Sequence, residues 1–176
     1  TSPPLSYLTV RHNASDGVHF YNLASGTLDN VNFNDNTGYG VYVYSTALSL
    51  SISNSTIYNN VKTGIYIINS AGTATISDSF ISYNDGGGVQ ASTNLNFSLL
   101  RNTIRENQKT SDGGGLYLGS NDSCLVQDNL IQGNSTTGSG GGIRFVYCTI
   151  EHNIIEGNYA ANNGGGILAA SSSTDT

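Results

Sequence analysis

The sequence predicts an all-β solenoid, a single chain coiled through about seven rungs of short parallel strands. Three observations lead there. One unit recurs along almost the whole chain, its apolar residues alternate with polar ones, and its composition disfavours helices. The unit reads aliphatic-x-x-(Asn, Ser or aliphatic)-x-aliphatic-x-x-Asn, then a loop, then Gly-aliphatic. Rungs begin near Leu5, Leu28, Ile52, Ile76, Leu99, Val126 and Ile150, and their equivalent Asn residues stand 23, 24, 24, 23, 27 and 24 apart. A solenoid has reason to hold such a period, because each unit buries its apolar face against the next. The apolar stretches within a unit are only a few residues long with period-two alternation, as in Val41-Tyr42-Val43-Tyr44. That is strand spacing and leaves no room for the helix of a helical repeat.

Each element of the unit then has a physical role. Leu5, Leu28, Ile52, Ile76, Leu99, Val126 and Ile150 form one inward aliphatic column, on the first strand. Val10, Phe33, Ile57, Ile81, Ile104, Ile131 and Ile155 form a second. Val18, Val41, Ile65, Val89, Leu116, Ile143 and Ile167 form a third, on the strand after the glycine. Asn13, Asn36, Asn60, Asn84, Asn107, Asn134 and Asn158 form a structural ladder. Asn suits a turn because it tolerates left-handed backbone, and stacked amides bond one another. The glycine before the third strand implies either positive φ or a close backbone approach.

Composition agrees. The 176 residues hold 22 Gly, 11 Tyr and no Met, with 37% hydrophobic and 10% charged residues. Tyr and β-branched residues favour strands, while Gly, Asn and Ser favour turns. The net charge of −6 argues against a nucleic-acid partner, which needs a basic face. No apolar run is long enough for a helical membrane span. The chain opens at Thr1 without Met or a signal-like segment, which reads as a processed product or a piece of something longer.

The unit resembles the right-handed, single-stranded parallel β-helix repeat of pectate lyase-like proteins. It also resembles repeats of large extracellular animal proteins such as fibrocystin and the bark beetle protein of cell junctions. The stretches Ile81-Ser-Tyr-Asn84, Ile131-Gln-Gly-Asn134 and Ile155-Glu-Gly-Asn158, each followed by Gly-Gly-Gly-aliphatic, look like the FxxN and GGAI repeats of chlamydial polymorphic outer-membrane adhesins. The resemblance covers roughly residues 3–170 and implies one β-helix domain. Its functional implications diverge, since this scaffold hosts lyases, hydrolases, epimerases and proteins without catalysis.

Sugar-cleaving members need paired carboxylates, or calcium-binding acids beside a base. Here the acids stand mostly alone in turns. The N-T-D, D-D, G-H-G and R-I-K signatures of polygalacturonase-like enzymes do not occur. His12, His19 and His152 fall in different columns or distant rungs, so no metal site is expected. No cofactor and no catalytic residue is assigned. The expected function is a non-catalytic extracellular structural or adhesive module. It would self-associate through open ends of the coil or flanking rungs, since solenoid ends need covering. A carbohydrate-binding module is the alternative and a polysaccharide lyase or hydrolase a further one.

Variation along the stack narrows where a ligand would sit. From Asn to Gly the first four rungs take four steps and the last three take eight, as in Asn107 to Gly115. These longer loops should stack on one edge of the C-terminal half. The outward position of the third strand reads His19, Tyr42, Tyr66, Gln90, Tyr117, Arg144 and Leu168. Tyr42, Tyr66 and Tyr117 would supply faces for glycans. Cys124 and Cys148 each precede their rung's first aliphatic position by two residues, so they share a column on adjacent rungs and should form a disulfide. Five N-x-[ST] sequons occur, at Asn13, Asn54, Asn96, Asn121 and Asn134. Asn54, Asn96 and Asn121 are expected to carry glycans. Asn13 and Asn134 belong to the inward ladder and are poor sites once folded.

Overall fold

A computed structural model describes residues 4–68, 71–92, 95–120 and 123–170. Its strands lie in three seven-stranded sheets and one three-stranded sheet, and each strand pairs with the equivalent strand of the neighbouring rung. All the pairings are parallel, as from Leu28 to Ile52 in the first sheet, Ile81 to Ile104 in the second and Leu116 to Ile143 in the third. The three predicted aliphatic columns are therefore real registers. Ile52, Ile57, Ile65, Ile76, Ile81, Leu99, Ile104 and Leu116 are fully buried. About 4.8 Å separates successive rungs, so a methyl of one rung rests on the next and leaves no layer of water between them.

The first strand is longer than the short repeat suggested, reaching six residues in Leu48–Ser53, Gly72–Ser77 and Leu95–Leu100. Period-two alternation continues upstream of the first aliphatic position and adds core columns through Leu50, Ala74, Phe97 and Cys124. On the third strand the second inward position adds Val43, Ile67, Ala91 and Leu118.

The turns correct one reading and decide another. The left-handed residue is not the ladder Asn but the one before it: His12, Asp35, Asn59, Tyr83, Glu106, Gly133 and Gly157 all have positive φ. That residue turns the chain, and the following Asn is thereby aimed inward. Asn107 shows the pattern. Its Oδ1 accepts from the backbone N–H and Nδ2 of Asn84 at 3.1 and 2.9 Å, and its own Nδ2 donates to Ile81 O and Asn134 Oδ1, each at 3.0 Å. For the glycine before the third strand, the structure decides between the two expected reasons. It owes its place to close approach rather than positive φ: a Cβ on Gly115 would lie 2.5 Å from the carbonyl oxygen of Gly142.

A second polar ladder stands at the turn between the first and second strands, at the position occupied by Asn, Ser or an aliphatic residue. Val31 N–H donates to Ser55 Oγ, Ser55 N–H to Ser79 Oγ, Ser79 N–H to Asn102 Oδ1, and the series continues through Asn129 to Asn153. Again the preceding residue carries positive φ in every rung, from Tyr7 through Asn30, Asn54, Asp78, Arg101 and Asp128 to His152. Burial of backbone N–H groups at both turns is thus matched by side-chain acceptors.

Candidate functional site

Among the described residues, the outward column of the third sheet draws aromatic and charged side chains together over many rungs. Register pairing aligns His19, Tyr42, Tyr66, Gln90, Tyr117, Arg144 and Leu168 as expected. In the N-terminal half the rings face one another. The His19 and Tyr42 centroids are 4.3 Å apart, and Tyr42 and Tyr66 stack at 5.6 Å with their planes 13° apart. Tyr39, from the loop before the third strand, stacks on both, at 5.1 and 4.9 Å. Lys62 Nζ lies 4.9 Å from the Tyr39 ring. Burial, followed by the neighbouring tyrosines, pushes the Tyr39 and Tyr66 hydroxyls above their usual pKa.

In the C-terminal half the longer loops fold back over the column. Their strands, Gln108–Lys109, Ser135–Thr136 and Tyr159–Ala160, form the three-stranded sheet. This is the predicted stacking of the long loops, with regular pairing that their Gly- and Thr-rich sequence did not announce. Lys109 faces the column: its Nζ donates to Gln90 Oε1 at 2.9 Å and lies 4.6 Å from the Tyr117 ring. Arg144, on the following rung, places its guanidinium 4.6 Å from the same ring. Asp112 accepts from Ser139 N–H at 2.8 Å and stands 4.0 Å from Arg144 Nε. Burial pushes the Lys109 ammonium down to about 8, opposed by Asp112 and reinforced by Arg144.

Where the three-stranded sheet begins, rung four has no strand to match it, and the step leaves a groove of about 410 Å³. Asp85, Gln108, Thr110, Ser135, Thr137 and Tyr159 line it. Tyr159 is 63% exposed. Neither Asp85 nor Tyr159 stood out in the sequence; the eight-step spacing of the last three rungs was the available signal.

The remaining assignments distribute along the coil. Cys124 and Cys148 form a disulfide between adjacent rungs, with Cα atoms 4.4 Å apart. Asn54 is exposed at a left-handed turn, and its Nδ2 donates to Asp29 Oδ1 at 2.9 Å. Asn96 is exposed on the first strand between buried Leu95 and Phe97. Asn121 lies outside the described residues. Asn134 is fully buried, donating to Ile104 O and Asn158 Oδ1. Asn13 differs from the expected inward setting. It joins the ladder by donating to Asn36 Oδ1 at 2.9 Å, yet it is exposed.

The carboxylates stay apart. Asp78 and Asp128 share the left-handed column, but Arg101 stands between them and binds Asp78 through Nε and an Nη, both at 2.8 Å. Those bonds hold the Asp78 carboxyl below its usual range. Among the described residues, no group of three or more His, Cys, Asp and Glu gathers as metal ligands, and no helix is long and apolar enough to cross a membrane.

Comparison with known proteins gives one match. The family described as "right handed beta helix region" matches residues 4–145 and, in a second overlapping placement, residues 40–176. No curated protein and no solved structure matches the chain.

Proposed function

The chain belongs to the right-handed β-helix family, and we propose that it serves as a non-catalytic structural or adhesive module of an extracellular protein. The family hosts catalytic and non-catalytic members alike, so the argument rests on this chain's own side chains. The observation that carries it is how the outward column is used. Tyr42, Tyr39 and Tyr66 turn their faces to one another, and Tyr117 turns its face to Lys109 and Arg144. Groups that a ligand would need are engaged in holding rung to rung. The disulfide and the exposed sequons Asn54 and Asn96 support an oxidising, secretory setting.

Such a module works by extending. Ile167 is 43% exposed, whereas Ile143 in the same column one rung earlier is fully buried. Further rungs, or a second copy seated end to end, would cover it. Sedimentation of the chain across a range of concentrations tests this together with an assay on uronate polymers, with and without calcium. Concentration-dependent growth without polymer cleavage is expected. Release of unsaturated or reducing products would sink the non-catalytic reading.

The second reading, a carbohydrate-binding module, is favoured by the groove of the three-stranded sheet. There an exposed Tyr159 stands beside Asp85, Gln108 and Thr hydroxyls, the pairing of aromatic face and polar rim that sugars need. A glycan array with the parent chain and Tyr159→Ala tests it. Binding that survives the substitution would place the sugar elsewhere.

A further inference from the structure

One aromatic pair stands outside the column just described. Tyr21 and Tyr44 are the last residues of the third strand in rungs one and two, and they are register partners. Their rings stack with centroids 5.5 Å apart and planes only 10° apart. Tyr21 is 69% exposed, so an oxidant reaches it from solvent. Tyr44 is followed in its column by Ile68, which has no oxidisable ring. The nearby imidazole of His19, 6.5 Å from Tyr21, is harder to oxidise than a phenol. Within its column the pair therefore has no third phenol to compete for the coupling. The next residue, Asn22, has positive φ, and its N–H donates to Tyr44 O at 2.8 Å, which holds the ends of the two strands side by side.

We propose that Tyr21 and Tyr44 form an oxidative coupling site, at which a peroxide-driven peroxidase joins the two rings into an inter-rung dityrosine. The step balances. Each phenol gives up one hydrogen atom, as an electron and a proton, to make a phenoxyl radical. The ortho carbons of the two radicals bond, and each displaced ring hydrogen returns to its own oxygen as the rings regain aromaticity. The two electrons and two protons reduce one hydrogen peroxide to two waters. The product ties rung one to rung two through side chains, as Cys124–Cys148 ties rungs six and seven. The proposal rests on ring geometry and is independent of the adhesive reading.

The experiment uses the full chain at low protein concentration with hydrogen peroxide and a haem peroxidase. The expected product is a monomer lighter by two hydrogens, with the blue emission of dityrosine, and peptide mapping joins the segments that hold Tyr21 and Tyr44. Tyr44→Phe keeps the stacked ring and the fold, checked by circular dichroism, and should abolish the emission. Tyr66→Phe should leave it unchanged. Failure to couple, coupling that persists in Tyr44→Phe, a link mapped to Tyr39, Tyr42 or Tyr66, or a product joining two chains would each overturn the proposal.

Discussion

A single ladder amide shows how a polar side chain comes to sit in an apolar coil. Asn107 is fully buried and engages both neighbouring rungs, accepting from Asn84 and donating to Ile81 O, Arg105 O and Asn134 Oδ1. Asn107→Leu matches its size but strands these partners, each unsatisfied buried group costing about 1–3 kcal/mol. A loss of about 3–5 kcal/mol is expected in urea unfolding, against about 1 kcal/mol or less for Ser51→Ala on an exposed strand position. Lys109 makes a second residue-scale prediction. Its pKa falls from 10.5 to about 8 on folding, so between those values the unfolded chain binds a proton that the folded chain does not. Unfolding free energy therefore rises with pH from about 8. Above 10 the raised Tyr39 and Tyr66 pKa values act the other way, because the unfolded phenols ionise first. Unfolding midpoints measured across this range should climb and then turn over, and Lys109→Met should remove the climb alone.

At the scale of the rung, stacking distance is the controlling quantity. Gly115 and Gly166 occupy the same column, but a Cβ on Gly115 meets backbone at 2.5 Å while one on Gly166 meets only the Ile155 Cγ2 at 3.7 Å. Gly115→Ala should therefore lower the thermal midpoint sharply, because a carbonyl held in a sheet cannot move aside. Gly166→Ala should be close to neutral. Equal effects at the two positions would show that a backbone angle, and not the neighbouring rung, sets the requirement. The disulfide belongs to this scale as well. It joins residues 24 apart in adjacent rungs, and closing a loop of that size restricts the unfolded chain by about 3 kcal/mol. The double variant Cys124→Ser, Cys148→Ser should lose about that much in equilibrium unfolding. A larger loss would mean that the serines also disturb the Phe97–Cys124 column.

Over the whole molecule, what matters is which surfaces the coil leaves open. The rungs present turns and outward strand positions to solvent, and the sequons sort accordingly. Glycopeptide mapping after expression in a glycosylating host should find Asn54 and Asn96 occupied and Asn134 empty. Attachment at Asn134 would remove a donor that the ladder uses for Ile104 O and Asn158 Oδ1, so full occupancy there would contradict the ladder in the folded protein. The charged groups sort in the same way. Asp78, Arg101 and Asp128 follow one another along the outer turn column, exposed and alternating in sign, where they meet at little cost in desolvation.

The amino-acid sequence by itself determined the coil, its period, its three main aliphatic columns, the Asn ladder and the Cys124–Cys148 pair. It could do so because a parallel solenoid puts equivalent residues of successive units in direct contact, so that spatial register is a readable sequence period. Only the tertiary structure decided matters that depend on which way a side chain leaves its turn. His12, Asp35 and Tyr83 take the left-handed conformation although Asn follows each of them, because aiming the amide inward satisfies buried backbone groups that no local preference records. Ring orientation was equally illegible. Tyr42 and Tyr66 share a column in the sequence, but only the structure shows their planes 13° apart with Tyr39 packed against both from a loop. The groove beside Tyr159 likewise exists only because strands in the last three rungs have no counterpart in rung four, a step made by packing that a spacing of eight merely permits.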